Sequence, residues 1–326
     1  MARTLRFERH TLPFRTDFTI AGTRCLIATN SHQILSAAAN WKPAATCPDG
    51  ATFEMEVIVD PSMDADPDRS THFRGLRHLV FAFLPPRSFV TYDLRRKRVH
   101  ALLSSAAATD HAFWNALLLP ITIGVLGTTI GVAPLHCACL ERDGAGVLVA
   151  GVSGAGKSTL SAALAQRGFA FISDDWTYLS VSPSGLTAHG LSAPLKLLPD
   201  TVRFFPQLRN FSPRRSLNGE MAYELDPGGS FACRVKAATA PRHLFFLERA
   251  RTSGSSVVPC SPRFVRDFFE SSGERLADEL TDAKAFRSEV IRTLSTYPCW
   301  TLNSGESPEV TAGALDDFLR EMHHAA

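Results

Sequence analysis

The chain has 326 residues, 45% of them hydrophobic and 20% charged, with a formal net charge of +2. That length carries two domains or one large domain with an appendage, and the composition is ordinary for a soluble globular protein. So even a charge balance excludes nucleic acid or an anionic membrane as main partner, and seven cysteines, odd in number and scattered, fit reduced thiols in a cytosol rather than a disulfide framework.

The first 105 residues read as a β-rich accessory domain. Phe18–Ile20 and Arg24–Thr29 are short strands across an Ala21-Gly22 turn, and Ser31 is placed to cap a helix through Ala39. Phe53 to Val59 alternates apolar and acidic residues as a half-exposed strand does. Leu79–Leu84, Phe89–Tyr92 and Val99–Leu103 form a meander, while the Asp/Pro/Ser-rich stretch from Asp60 to Thr71 reads as a mobile loop. From His111 to Leu140 there is no Asp, Glu, Lys or Arg, which is long enough for a membrane span. Pro120, Gly124, Gly127, Gly131 and Pro134 interrupt it, so a buried helix followed by a buried strand is the expectation, with a cytoplasmic protein that has no membrane partner. Met1 to Arg6 lacks the apolar core of a secretion signal.

Residues 106–326 alternate strand and helix, which predicts a mostly parallel sheet with helices packed on it. The apolar run Gly146–Ala150 is a strand, and Ser158 to Arg167 is a helix with Leu160, Ala163 and Leu164 at helical spacing and Gly168 as its stop. Between them stands Gly151-Val152-Ser153-Gly154-Ala155-Gly156-Lys157-Ser158-Thr159, the Walker A pattern Gly-x-x-x-x-Gly-Lys-Ser in its required strand–loop–helix setting. Its backbone N–H groups, from Gly151, Ser153, Gly154, Ala155 and Gly156 through Thr159, would cradle phosphates at a helix N-terminus. Lys157 would reach the β- and γ-phosphates and Ser158 would ligate Mg²⁺. An ordinary glycine-rich turn is the competing reading. Strands 169–173, 177–181 and 241–248 follow, then helices near 262–269, 282–293 and 312–323.

Asp174-Asp175 ends the next strand, 17 residues past Lys157. Phosphoryl transfer needs a carboxylate to hold Mg²⁺ or to accept the proton of the attacking hydroxyl. Ligands of open α/β sheets gather at this end of the strands. A solvated acidic turn is the alternative.

The loop 151–159, the short helix ending Gln166-Arg167-Gly168, and Phe171-Ile172-Ser173-Asp174-Asp175 together resemble the catalytic domain of HPr kinase/phosphorylase. His136, 21 residues before Lys157 and assigned here to the strand preceding the loop, fits the same pattern. Ala193–Leu197 and His243–Glu248 look like later segments of HPr-kinase-related proteins. The resemblance implies an α/β P-loop kinase domain using ATP and Mg²⁺ to phosphorylate a serine of a protein or peptide. In that family the first Asp, here Asp174, is the base, and the second, Asp175, helps hold the metal. The family assembles as hexamers, which leaves a homo-oligomer open for this chain. Enzymes acting on HPr carry Glu where this chain has Thr159, so other acceptors stay in play: a lasso-peptide precursor or a small hydroxyl compound. A nucleotide-gated regulatory protein with slow ATP hydrolysis is the non-kinase alternative.

Lys196, Arg234 and Lys236 are candidates to neutralise a transferring phosphoryl group, against ordinary surface pairing. Arg203, Arg209, Arg214 and Arg215 read as a loop over the site or as a solvated face. Trp176 and Tyr178 offer rings for an adenine or for packing. Cys137 and Cys139 form the only close cysteine pair.

Overall fold

The computed structural model describes residues 11–38, 52–65, 72–85, 87–191, 194–216, 220–249, 254–272 and 276–325. It is mixed α/β with several sheets, only partly parallel. The chain divides into one unit of Met1–Ile130 with Ala277–Leu280 and a second of Gly131–Leu276 with Thr281–Ala326. The sequence places the boundary at 105/106, whereas the compact division falls after Ile130.

The first unit is built on a seven-stranded mixed sheet. In spatial order its strands are Phe14–Ile20, Thr23–Thr29, Thr52–Val59, Arg98–Leu103, Ser88–Asp93, Leu79–Leu84 and His72–Leu76. The Ala21-Gly22 turn has both residues at positive φ, which joins the first two strands tightly. Alternation does the rest: Phe53, Met55, Val57 and Val59 are buried, while Glu54 is exposed. Ser31 accepts from Gln33 N–H at the start of the helix His32–Ala38, whose expected last residue, Ala39, lies outside the described residues. The strand His72–Leu76 is a departure from the sequence reading, and of the expected loop only 60–65 is described, closing in a short 3-10 turn.

The apolar stretch after Leu103 is helical, not a single regular helix. A π turn over Trp114–Leu118 precedes the helix Leu119–Leu126, because Pro120 has no N–H for the carbonyl four residues back and its ring crowds that turn. His111–Ile130 is long and apolar enough to cross a membrane, and 61% of it is buried inside the protein.

The second unit holds the central six-stranded sheet, in the order Ala170–Ser173, Cys137–Arg142, Ala145–Ala150, Pro241–Arg249, Cys299–Ser304, Ser256–Pro259. Ala145–Ala150, Pro241–Arg249 and Cys299–Ser304 run parallel. Both faces are covered. Val147 and Val149 pack with the helices Lys157–Gln166 and Pro308–Ala325, while Leu148 and Ala150 pack with Pro262–Ser272 and Thr281–Leu294. Such two-sided burial explains why these strands read as unbroken apolar runs.

The expected mostly parallel sheet is interrupted by two antiparallel strands, Cys137–Arg142 within it and Ser256–Pro259 at its edge. Cys137–Arg142 lies antiparallel between the loop strand and the acidic strand, joined to the former through Asp143-Gly144, both at positive φ. Asp-Gly at both central positions of a two-residue turn is the mark of a type I′ hairpin, and it overrides the βαβ pattern locally. Four antiparallel strands, Ala238–Thr239, Gly185–His189, Thr177–Ser182 and Val132–Leu135, form a second sheet, and Leu195–Leu197, Met221–Leu225 and Arg214–Arg215 form a third.

Candidate active site

The glycine loop leaves the C-terminal end of the strand Ala145–Ala150 and enters the helix Lys157–Gln166. Gly151 is required by space: a Cβ there would meet the Leu247 carbonyl oxygen of the parallel neighbour at 2.8 Å. Gly156, the residue before the helix, sits at φ 104°, a conformation that a side chain would strain. Ala155 is buried while Val152, Ser153 and Gly154 are exposed, so the loop's arch faces outward and its root is packed. The helix is anchored by Leu160 and Leu164, each 2% exposed or less, and burial of each contributes about 2 kcal/mol.

Lys157 is only 7% exposed, and its Nζ donates to the Gly151 carbonyl at 3.0 Å. Burial lowers its pKa, and the charges of Asp175 and Asp174 oppose that fall. The loop lysine and the acidic pair therefore share one electrostatic site.

Asp174 and Asp175 close the end of the strand Ala170–Ser173 in a tight turn, with Trp176 N–H donating to the Asp174 carbonyl at 2.8 Å. The turn is clamped from beneath: the Ser173 and Thr177 hydroxyls lie 2.6 Å apart, and Thr177 donates to the Cys137 carbonyl at 2.7 Å. Asp175 sits at φ 69°, in left-handed backbone that Asp tolerates better than most residues. The acidic strand does not neighbour the loop strand; it lies two strands over, about 10 Å across the sheet. The loop helix reaches toward it, and the Ser158 hydroxyl lies near enough to the Asp174 carboxyl to lower its pKa.

Asp174 is half-buried as a residue, and its Oδ1 is enclosed with no hydrogen-bond partner among the described residues. Burial pushes its carboxyl up to about 6, against the lowering effect of the Ser158 hydroxyl. Asp175 shifts the other way. Its Oδ1 lies 2.7 Å from His136 Nε2, and that bond, more than any other influence, holds its pKa below the ordinary value. Two adjacent carboxyls thus differ in environment, one pushed up toward neutrality by burial and one held down by its hydrogen bond to His136, a separation that supports distinct acid–base roles.

A raised carboxyl pKa means that the folded state prefers the protonated form, so the stability it contributes at low pH is lost as pH rises from the ordinary range, 3.8, through about 6. In metal-free protein, Asp174→Asn is therefore expected to melt progressively higher than wild type as pH climbs through that window, with the difference levelling above it. Melting curves in chelator check this, and a difference independent of pH would refute it.

His136 is not on a strand, as the sequence suggests. It occupies the bend between Val132–Leu135 and Cys137–Arg142, where the chain passes from one sheet to another. That bend is what frees the imidazole to reach Asp175. Its ring lies 5.5 Å from that of Trp176, which is 37% exposed at the site, whereas Tyr178 is buried and serves packing. Lys196 is close enough that its charge also lowers the Asp175 pKa. Lys236 is committed elsewhere: its Nζ lies 2.8 and 2.7 Å from the two carboxylate oxygens of Glu141. Arg234, exposed, adds its charge to the same Glu141. Cys137 and Cys139 are fully buried thiols. Sequence reasoning missed the clamp by Ser173 and Thr177, whose only trace in the sequence is a pair of hydroxyls flanking the acidic turn.

No protein-family profile matches the chain, and no curated protein does. Among solved structures, the HPr(Ser) kinase/phosphatase from Coxiella burnetii aligns with it at 14% identity and a TM-score of 0.34, over 59% of this chain and 94% of that one. The case for this site rests on its own residues.

Among the described residues no three His, Cys, Asp or Glu side chains are grouped to hold a metal. Magnesium commonly takes one or two carboxylates, a hydroxyl and substrate phosphates, which needs no such group. The Ser158 hydroxyl, Asp175 and the orphaned Asp174 oxygen are hard oxygen donors of that kind.

Proposed function

We propose that this chain is an ATP-dependent kinase that transfers the γ-phosphoryl group to a serine hydroxyl of a protein or peptide. The observation that best supports this reading is the enclosed Asp174 carboxyl beside Ser158 of the glycine loop, with one oxygen unpartnered among the described residues and a pKa of about 6 that suits a base near neutral pH. The loop's N–H groups and the N-terminus of the helix Lys157–Gln166 hold the phosphates, and Lys157 offsets the charge that spreads over the phosphoryl oxygens. Asp174 takes the proton of the acceptor hydroxyl as its oxygen bonds to the γ-phosphorus and the bond to the leaving ADP oxygen breaks. His136 fixes Asp175 as a carboxylate by hydrogen bonding to it. Ser158 and Asp175 are the residues that would hold magnesium, which supplies charge neutralisation at the phosphates when bound.

Binding of a fluorescent ATP analogue with Mg²⁺ tests the nucleotide half. Lys157→Ala is expected to weaken it at least about tenfold, through loss of one buried charge-assisted contact of roughly 1.5–3 kcal/mol. Absence of binding by wild type would end this reading, and binding without transfer to any peptide or metabolite would leave a nucleotide-gated switch.

A further inference from the structure

The arginines after Lys196 are not a loose loop over the site. Residues 194–216 carry Lys196, Arg203, Arg209, Arg214 and Arg215 against Asp200 alone, a local excess of four positive charges in a chain of net +2. The segment is rigidly seated. Leu195, Leu197, Phe205 and Leu208 are each 1% exposed or less and share one core with Leu160 and Leu164 of the loop helix. Its charged groups point outward instead. Arg209, Arg214 and Arg215 are exposed and make no ion pair among the described residues, while Arg203 faces the exposed Asp200 at 3.9 Å and stacks over the Phe204 ring at 4.6 Å.

Register places these charges with respect to one another. Lys196 is opposite Glu224 and Arg214 opposite Ala222, so Lys196 and Arg214 project from the same face of the small sheet on either side of Glu224. Lys196 is held only weakly by Glu224, at 3.9 Å, and its charge is felt at Asp175. The positive surface therefore lies within electrostatic reach of Asp175 and shares its core with the loop helix. Leu198, two residues past Lys196, is 50% exposed, while Met221, 45% exposed, is opposite Arg215 and lies with it on the other face of the small sheet.

We propose that residues 194–216, with the adjoining strand Met221–Leu225, form a docking ledge for the phosphoryl acceptor, and that this acceptor is an acidic peptide segment carrying its serine toward Asp174. The inference rests on the kinase reading above. Arg209, Arg214 and Arg215, exposed and without ion-pair partners among the described residues, match carboxylate side chains, and the exposed Leu198 suits an apolar peptide side chain rather than a nucleic-acid phosphate. The near-neutral remainder of the chain gives a long polyanion nothing more to grip.

The test uses the full chain and a fluorescein-labelled peptide with one serine among glutamates, followed by anisotropy without nucleotide and then by transfer from labelled ATP. Wild type is expected to bind this peptide in a salt-sensitive way and to ignore the same peptide with lysines replacing the glutamates. Arg214→Glu with Arg215→Glu is expected to weaken binding about tenfold and to raise KM, with binding of the fluorescent ATP analogue unchanged. Arg209→Glu, outside the small sheet, is expected to act in the same direction and guards against a local folding defect. Equal phosphorylation of acidic, neutral and basic peptides would overturn the ledge while leaving the kinase. Acidic peptide bound at the ledge but never phosphorylated would uphold the ledge and overturn the kinase. Tighter binding of an oligonucleotide than of the acidic peptide would overturn the choice of partner.

Discussion

Asp174→Asn is expected to lower phosphoryl transfer by about 10²–10⁴-fold, the usual contribution of a positioned general base, while ATP binding changes little. The amide keeps the size of the carboxyl and its place near the Ser158 hydroxyl, but it cannot accept the acceptor's proton. Rate and binding therefore separate in this variant, whereas Lys157→Ala loses both. The same substitution is expected to make the metal-free protein more stable at neutral pH, because an enclosed carboxylate with one unpartnered oxygen is costly. Loss of activity with gain of stability distinguishes a functional acid from a structural one. Transfer at the wild-type rate would remove Asp174 from the chemistry.

Asp316→Asn is expected to destabilise the second unit by about 3 kcal/mol, the scale of breaking a buried ion pair by removing one partner. Asp316 is 1% exposed on the helix Pro308–Ala325, which packs on the loop helix through a shared core. Its oxygens face Arg320 at 2.9 Å, Arg142 at 3.5 Å and Arg167 at 3.6 Å. Arg142 also donates to the Arg167 carbonyl, closing the C-terminal end of the loop helix against the sheet. The amide preserves volume, so a loss of this size reads charge rather than packing. A fall in melting temperature of roughly 6–12 °C is the observable, from about 2–4 °C per kcal/mol for a unit of this size. No change would mean that the three arginines gain as much from water as from Asp316.

The contrast between site residues that were legible and those that were not follows sequence separation. The strand–glycine loop–helix of Gly151 to Thr159 could be read because its pattern lies in one contiguous stretch: a buried strand, glycines where the backbone turns, a lysine and a hydroxyl at the first helical turn. Asp174-Asp175 was legible as the end of the next strand after the helix. Its route to the loop was not, since the antiparallel strand Cys137–Arg142 intervenes and the approach is through Ser158. The Asp143-Gly144 hairpin that causes this was present in the sequence as a turn signal, and the strand–helix alternation around it obscured it.

Local structure was therefore determined by the sequence itself: the glycine loop, the helix it opens, the acidic turn, and the period-two strands of the first unit. Each depends on neighbours within a few residues, where dihedral preference and burial pattern act directly. Only the tertiary structure decided which distant groups complete the site. It set His136 against Asp175 across 39 residues, braced the acidic turn on Cys137 through Thr177 across 40, and put the Lys196 charge beside Asp175. Those pairings follow from hairpin register and from the switch of the chain between two sheets at His136. A shift of one residue in either would turn the same side chains to the opposite face.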